Sequence, residues 1–228
     1  MNAPVAHRGE LAPSTAAGWA RLRGRLERDG ALLARDKALL MSAVAAACGR
    51  EEMLARELAR LRDLGGAEMI VSCASVLTLA RGYDVAERLA TAAGVALDWT
   101  SAAPAPVGEQ DVERARAYFT TPGAELPPPV ALLAEHAPDV LVGYRRLRSG
   151  IYDEGTLEPQ LVELALFAVA AADHLSGHAA VHGAKAVAAG AGEPELVEAG
   201  LCAIPAAGMA SWLFAATVID GLETKGQQ

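Results

Sequence analysis

The chain has 228 residues, 52% of them apolar but only 4% aromatic, and a formal charge of −8 at neutral pH. That length supports one large domain or two small ones around a substantial core. The acidic balance excludes a nucleic-acid surface, which needs a basic face. Three widely spaced cysteines, Cys48, Cys73 and Cys202, exclude a disulfide framework or a zinc knuckle.

Alanine dominates and runs of Val, Ile and Thr are nearly absent, so the composition predicts an all-α protein. The first 25 residues hold no continuous apolar stretch of the secretory type, although their Arg-rich, acid-poor character is shared with organelle transit peptides. The expectation is a cytoplasmic protein. Ser14 is the predicted cap of a first helix, which runs through Arg28 and stops at Gly30. Further helices are expected over 32–47, 50–64 and 68–80, closed by Gly49, Gly65 and Gly82. Asp84 is a natural cap for the next, which reaches Gly94.

The segment 98–110 is the clearest linker, followed by a helix to Phe119 and a Pro/Gly turn over 120–129. Helices over 130–137 and 139–149 come next. The second of these carries Tyr144-Arg145-Arg146-Leu147-Arg148, read as a solvated basic face that has some potential to meet an acidic ligand. The remaining helices cover 158–172, 176–189 and 193–203, with an apolar helix to about Leu222. Residues 199–219 contain no charge. Pro205, Gly208 and the absence of flanking Lys or Arg favour a buried core helix over a membrane span. So apolar a segment also predicts subunits that pack together.

The two halves resemble each other. With Gly65 placed on Gly190, an offset of 125, residues 50–65 overlie 175–190 without a gap, and Gly82 falls within one residue of Gly208. The division expected is an N-terminal extension (1–30), a first module (31–97), a linker (98–117) and a second module (118–228). The copies differ in chemistry: Met53 and Glu57 in the first stand where His178 and His182 stand in the second.

His174, His178 and His182 recur at intervals of four. Three such residues extend over about 12 Å of helix, so they cannot all ligate one ion. His178 and His182 share one face, on a helix whose expected cap is Asp173 or Ser176 and whose stop is Gly190. Glu163 enters a helix whose later turns are apolar all round, where a carboxylate needs a partner. A histidine of the next helix would supply one and would be oriented by it. The alternative is a carboxylate on a solvent edge in the first turn, favoured there by the helix dipole. Trp212 and Met209, together with His174, are candidates to line a substrate pocket, with core packing the competing role for the first two.

The spacing E-x11-(x)-x2-(x)-x3-H-x3-A-x3-G, with Glu163, His182, Ala186 and Gly190 in place, resembles the carboxymuconolactone decarboxylase and alkyl hydroperoxidase D-like superfamily. Residues 190–208 are similar to the family segment that follows. The resemblance implies two tandem helical modules, the first degenerate, since Ala38 falls at the place of the glutamate. In the peroxidase branch the bracketed positions are the cysteines of a CxxC served by a Glu–His proton relay. Here they are Leu175 and His178, which removes the thiol chemistry.

What the resemblance leaves is acid–base chemistry beside a carbonyl. His182 would act as acid/base, Glu163 as its orienter, and His178 as a second donor. The implied enzyme is a cofactor-independent lyase or isomerase acting on a small organic acid or lactone, with no metal and no nucleotide motif. Two alternatives stand beside it. One is a non-catalytic helical oligomer that binds a ligand or partner. The other is a metal-dependent enzyme using Glu163, His178 and His182 as ligands. The family also implies homo-oligomers, which three two-module chains would imitate.

Overall fold

The computed structural model describes residues 11–100, 105–120 and 125–226, and every regular element among them is helical. In chain order these are α1 (Pro13–Leu26), α2 (Ala34–Ala47), α3 (Glu51–Asp63), α4 (Met69–Arg81) and α5 (Tyr83–Ala92). Then follow α6 (Glu109–Phe119), α7 (Pro128–His136), α8 (Pro138–Tyr152), α9 (Pro159–Ala172) and α10 (Ser176–Ala188). The chain closes with α11 (Glu193–Leu201), α12 (Ile204–Ala207) and α13 (Met209–Gly226). The first ten residues of the expected transit-like stretch, and parts of the expected linker and Pro/Gly turn, lie outside the described residues.

The two most apolar helices lie at the centre. In α9 every residue from Val162 to Ala172 is buried, and α2 is buried on nearly every side. A helix with no polar face has nowhere to sit but the middle of a domain. Here α2 and α9 pack on each other. Their alanines, many of them 0% exposed, permit that close approach. Around the pair, residues of α3, α4, α5, α10, α11 and α13 join one continuous core. A second, smaller cluster lies apart, built by Ala115 of α6, Val130 and Ala134 of α7, and Leu141 and Val142 of α8.

Helix starts depart from the expected caps. Pro13 opens α1 after Ala12, leaving Ser14 inside the first turn, because a proline supplies φ and lacks the N–H that a cap would serve. Gly82 precedes α5, and Asp84 lies in its first turn, where its charge favours the dipole. Leu175 precedes α10, with no side-chain cap from Asp173 or Ser176. The uncharged stretch 199–219 is not one helix. It is cut by Gly208, whose φ of 81° lies in the left-handed region, and α11 and α12 both pack against α13. Among the described residues no helix is long and apolar enough to cross a membrane.

The starts and ends of α2 and α9 lie 125 residues apart, as do those of α3 and α10. The turns between them agree too: Gly49 has φ 65° and His174, at the matching place, φ 56°. One buried ion pair ties the N-terminal half to the C-terminal half. Glu198 of α11 accepts from Lys37 Nζ of α2 at 3.0 Å and from the Leu32 backbone N–H at 3.0 Å. Arg25 reaches its other oxygen at 2.6 Å. Lys37 and Glu198 are 0% and 1% exposed. A Cβ at Gly30 would fall 2.2 Å from the Glu198 carboxylate, so the chain passes there only without a side chain.

Candidate active site

Helices α9 and α10 lie side by side, which brings the two chemically conspicuous residues together. Glu163, 4% exposed, accepts at Oε2 from His182 Nδ1 over 2.7 Å. Its other oxygen, Oε1, accepts from the Tyr152 hydroxyl over 2.6 Å. Both carboxylate oxygens are therefore engaged, as a buried carboxylate requires.

Burial pushes the Glu163 carboxyl up, but hydrogen bonds from His182 and Tyr152 and the charges of His182 and Lys185 outweigh it. The group is held below the ordinary carboxylate range and is ionised at neutral pH. An ionised acceptor fixes the proton on Nδ1 of His182 and leaves Nε2 as the nitrogen available to a ligand. Burial, and then Glu163 itself, push the Tyr152 hydroxyl upward, so it remains a neutral donor.

His182 opens on a pocket of about 500 Å³. Its lining mixes apolar side chains, Leu166 and Val169 of α9 with Leu175 and Val181, and charged ones, Arg148 of α8, Lys185 of α10, and Arg81 of α4, which pairs with Asp173. The guanidinium of Arg148 lies 4.7 Å above the Tyr152 ring. Its Nε is buried with no hydrogen-bond partner among the described residues. Arg81, Leu79 and Ala80 come from the N-terminal half, so both halves of the chain enclose the pocket.

The candidates read from sequence separate here. Glu163 and His182 are in contact, and His178, exposed at the surface of α10, lines the same pocket. His174, Met209 and Trp212 are not among its lining residues. Trp212 packs on the main core and against Gly200, while Met209 is 56% exposed. His174 terminates α9 in the left-handed region, its ring centroid 5.7 Å from that of Phe214 in an edge-on arrangement. Glycine holds that conformation without a Cβ penalty. His174→Gly is therefore expected to keep or raise the thermal midpoint, and His174→Val to cost about 1–2 kcal/mol, as read by thermal denaturation.

The basic run 144–148 is not simply a solvated face. Arg146 is exposed, but Tyr144 and Arg148 turn into the pocket. Tyr144, Arg148 and Tyr152 stand at i, i+4 and i+8, one stripe of α8, a signal as regular as that of the histidines. Sequence reasoning missed Tyr152, Lys185 and Arg81. Only Tyr152 carried a legible mark, its place on that stripe.

The corresponding place in the N-terminal half is closed. Glu57, where His182 would be, is buried and paired with Arg60 at 2.9 Å and Arg56 at 3.1 Å. Arg60 also donates to the carbonyls of Leu26 and Ala34. None of the three cysteines lines the pocket. Burial pushes the Cys73 and Cys202 thiols up to about 12 and raises that of Cys48. Among the described residues no group of three or more His, Cys, Asp or Glu is arranged to hold a metal ion.

Residues 138–220, in the C-terminal half, match the model of the carboxymuconolactone decarboxylase family. Among solved structures the chain is similar to a protein of Burkholderia xenovorans LB400 described as a gamma-carboxymuconolactone decarboxylase subunit. The two share 21% identity and superpose with a TM-score of 0.61, over 94% of this chain and 88% of the other. That likeness establishes the fold. A comparison with curated proteins found no match.

Proposed function

We propose that the chain is a cofactor-independent lyase or isomerase of the decarboxylase type, acting beside a carbonyl of a small organic acid or lactone. The observation that carries this reading is the Tyr152–Glu163–His182 chain of hydrogen bonds ending in a pocket. Loss of CO₂ from an acid with a suitably placed carbonyl leaves an enolate, and His182 in its protonated form would deliver a proton to carbon through Nε2. Glu163 holds the ring and fixes its tautomer. His178, which lines the same pocket, would face the developing oxyanion.

The reading excludes a thiol peroxidase. It is supported by Leu175 and His178 at the two thiol positions and by the absence of cysteine from the pocket. The metal-dependent alternative is disfavoured, because Glu163 spends both oxygens on His182 and Tyr152. The test is CO₂ release from carboxymuconolactone and from a panel of carboxylated lactones and keto acids. Turnover lost in both His182→Ala and Glu163→Gln supports the proposal, and a purified protein with stoichiometric metal at these residues overturns it.

We further propose two tandem modules, supported by the 125-residue spacing of helix bounds, the first keeping the fold while Glu57–Arg60 fills its former site. A homo-oligomer, a trimer by the analogy of repeated modules, is supported by large apolar side chains left exposed on α10 and α13. Val181, Val187, Met209 and Leu213 are 51%, 48%, 56% and 64% exposed. Light scattering is expected to give a multiple of the 23.5 kDa chain mass, and a monomer would contradict the assignment.

A further inference from the structure

A second pocket of about 530 Å³ adjoins the first. Tyr144, Arg148 and Lys185 line both, so the two form one site with a charged waist. Beyond the waist the walls are aromatic and apolar: Tyr118 and Phe119 at the end of α6, Pro127 and Pro129 where α7 begins, and Val130 and Leu133 within it. The Phe119 ring stacks on that of Tyr144 at 4.7 Å with 18° between planes. This stack joins the second wall to the first pocket.

The α6–α7 segment lies outside the residues that match the family model and outside both helix sets spaced by 125 residues. It packs on α8 through a core of its own. α6–α7 is thus a separate structural unit beside the family-matched segment, and its open side continues the pocket. Arg148 at the waist lies between the rings of Tyr152 and Tyr118, 4.7 and 5.9 Å from their centroids, with its buried Nε unpartnered among the described residues. Lys185 of α10 lines both pockets with it. A flat face, two cations and a stacked aromatic wall form a built site for an anion attached to a ring.

We infer that α6–α7 forms a specificity annexe, and that the substrate is a ring-bearing carboxylic acid. Its carboxylate meets Arg148 and Lys185, its reacting carbonyl faces His182, and its flat apolar ring system extends between Tyr118, Phe119 and the prolines. The inference rests on the reading above for the reacting end, whereas the annexe itself stands on geometry.

Calorimetric titration of the whole protein with 2-naphthoate, benzoate and 2-naphthamide tests it. The second ring of naphthoate adds buried apolar area, so it is expected to bind about tenfold or more tighter than benzoate. Naphthamide, which lacks the charge, is expected to bind about tenfold weaker than naphthoate. Tyr118→Ala should collapse the naphthoate-to-benzoate ratio toward one, while Lys185→Gln should weaken both acids and leave naphthamide least affected. Tyr118 is 38% exposed, so its truncation leaves the fold intact, as a thermal melt will verify. Equal affinity for the two acids, an unchanged ratio in Tyr118→Ala, or no binding of naphthoate at millimolar concentration overturns the annexe. Because the readout is binding, size discrimination without turnover sinks only the catalytic reading. Turnover without size discrimination sinks only the annexe.

Discussion

His182→Ala is expected to lower turnover by about 10²–10⁴-fold, the usual contribution of a positioned general acid or base, with little change in the thermal midpoint. The ring is partly exposed, with 16% of its side chain accessible, so its truncation opens pocket rather than core. Glu163→Gln keeps the shape of the partner but removes its charge, and the amide can present a donor to Nδ1 in place of an acceptor. That substitution is expected to lower kcat more than KM, since it acts through the tautomer and charge of His182 rather than through substrate contacts. If the decarboxylase reading is wrong and the protein only binds its ligand, affinity will be altered in these variants but no turnover will be found in the parent.

The acid limb of stability should report the same pair. Glu163 has its folded-state pKa below the unfolded value. Its stabilisation is therefore fully present above the ordinary glutamate value, about 4.3, and is lost as pH falls through the folded value. The stability gap between the parent and Glu163→Gln should narrow as pH drops through that window.

Glu198→Ala is expected to destabilise the fold by about 3–5 kcal/mol, the cost of leaving a buried charge without its partner. Lys37 Nζ would then lose its carboxylate partner and keep the Arg25 carbonyl, at 3.1 Å. The Leu32 N–H would lose its acceptor. Burial raises the Glu198 carboxyl, yet the Leu32 N–H and Lys37 outweigh it and the net shift is downward. The contribution is again present above the ordinary glutamate value and lost toward acid pH. Urea denaturation at neutral and acidic pH should show the gap between parent and Glu198→Ala shrinking in acid. Should Glu198→Ala not fold, the double variant Lys37→Met, Glu198→Gln removes both charges and is expected to cost less than the two single losses combined. Additive losses would mean that the pair is not coupled.

The sequence was most legible where local rules suffice. Left-handed glycines stop α3 and α10, and the alanine-rich periodicity marks α2 and α9 as central. The Glu163–His182 spacing was legible for the same reason, because two helices joined by a three-residue turn must pack as neighbours. Pro13 taking the start of α1 from Ser14, and Gly82 that of α5 from Asp84, show where single-residue capping preferences yield to backbone geometry.

By itself the sequence determined a helical protein with a histidine and a glutamate placed to meet, and without the thiols that such a site elsewhere employs. Only the tertiary structure decided what else meets there. Tyr152 comes from α8, 11 residues before its partner Glu163, and Arg81 from the other half of the chain, 92 residues from Asp173. Contacts over such separations are set by how whole helices dock, not by the spacing of residues along any one of them. His174, which shares the four-residue rhythm of His178 and His182, was already legible as a turn residue from its place before the expected cap, and it ends α9 in the left-handed region. The rhythm holds only within a helix, and His174 lies in the turn before α10 begins.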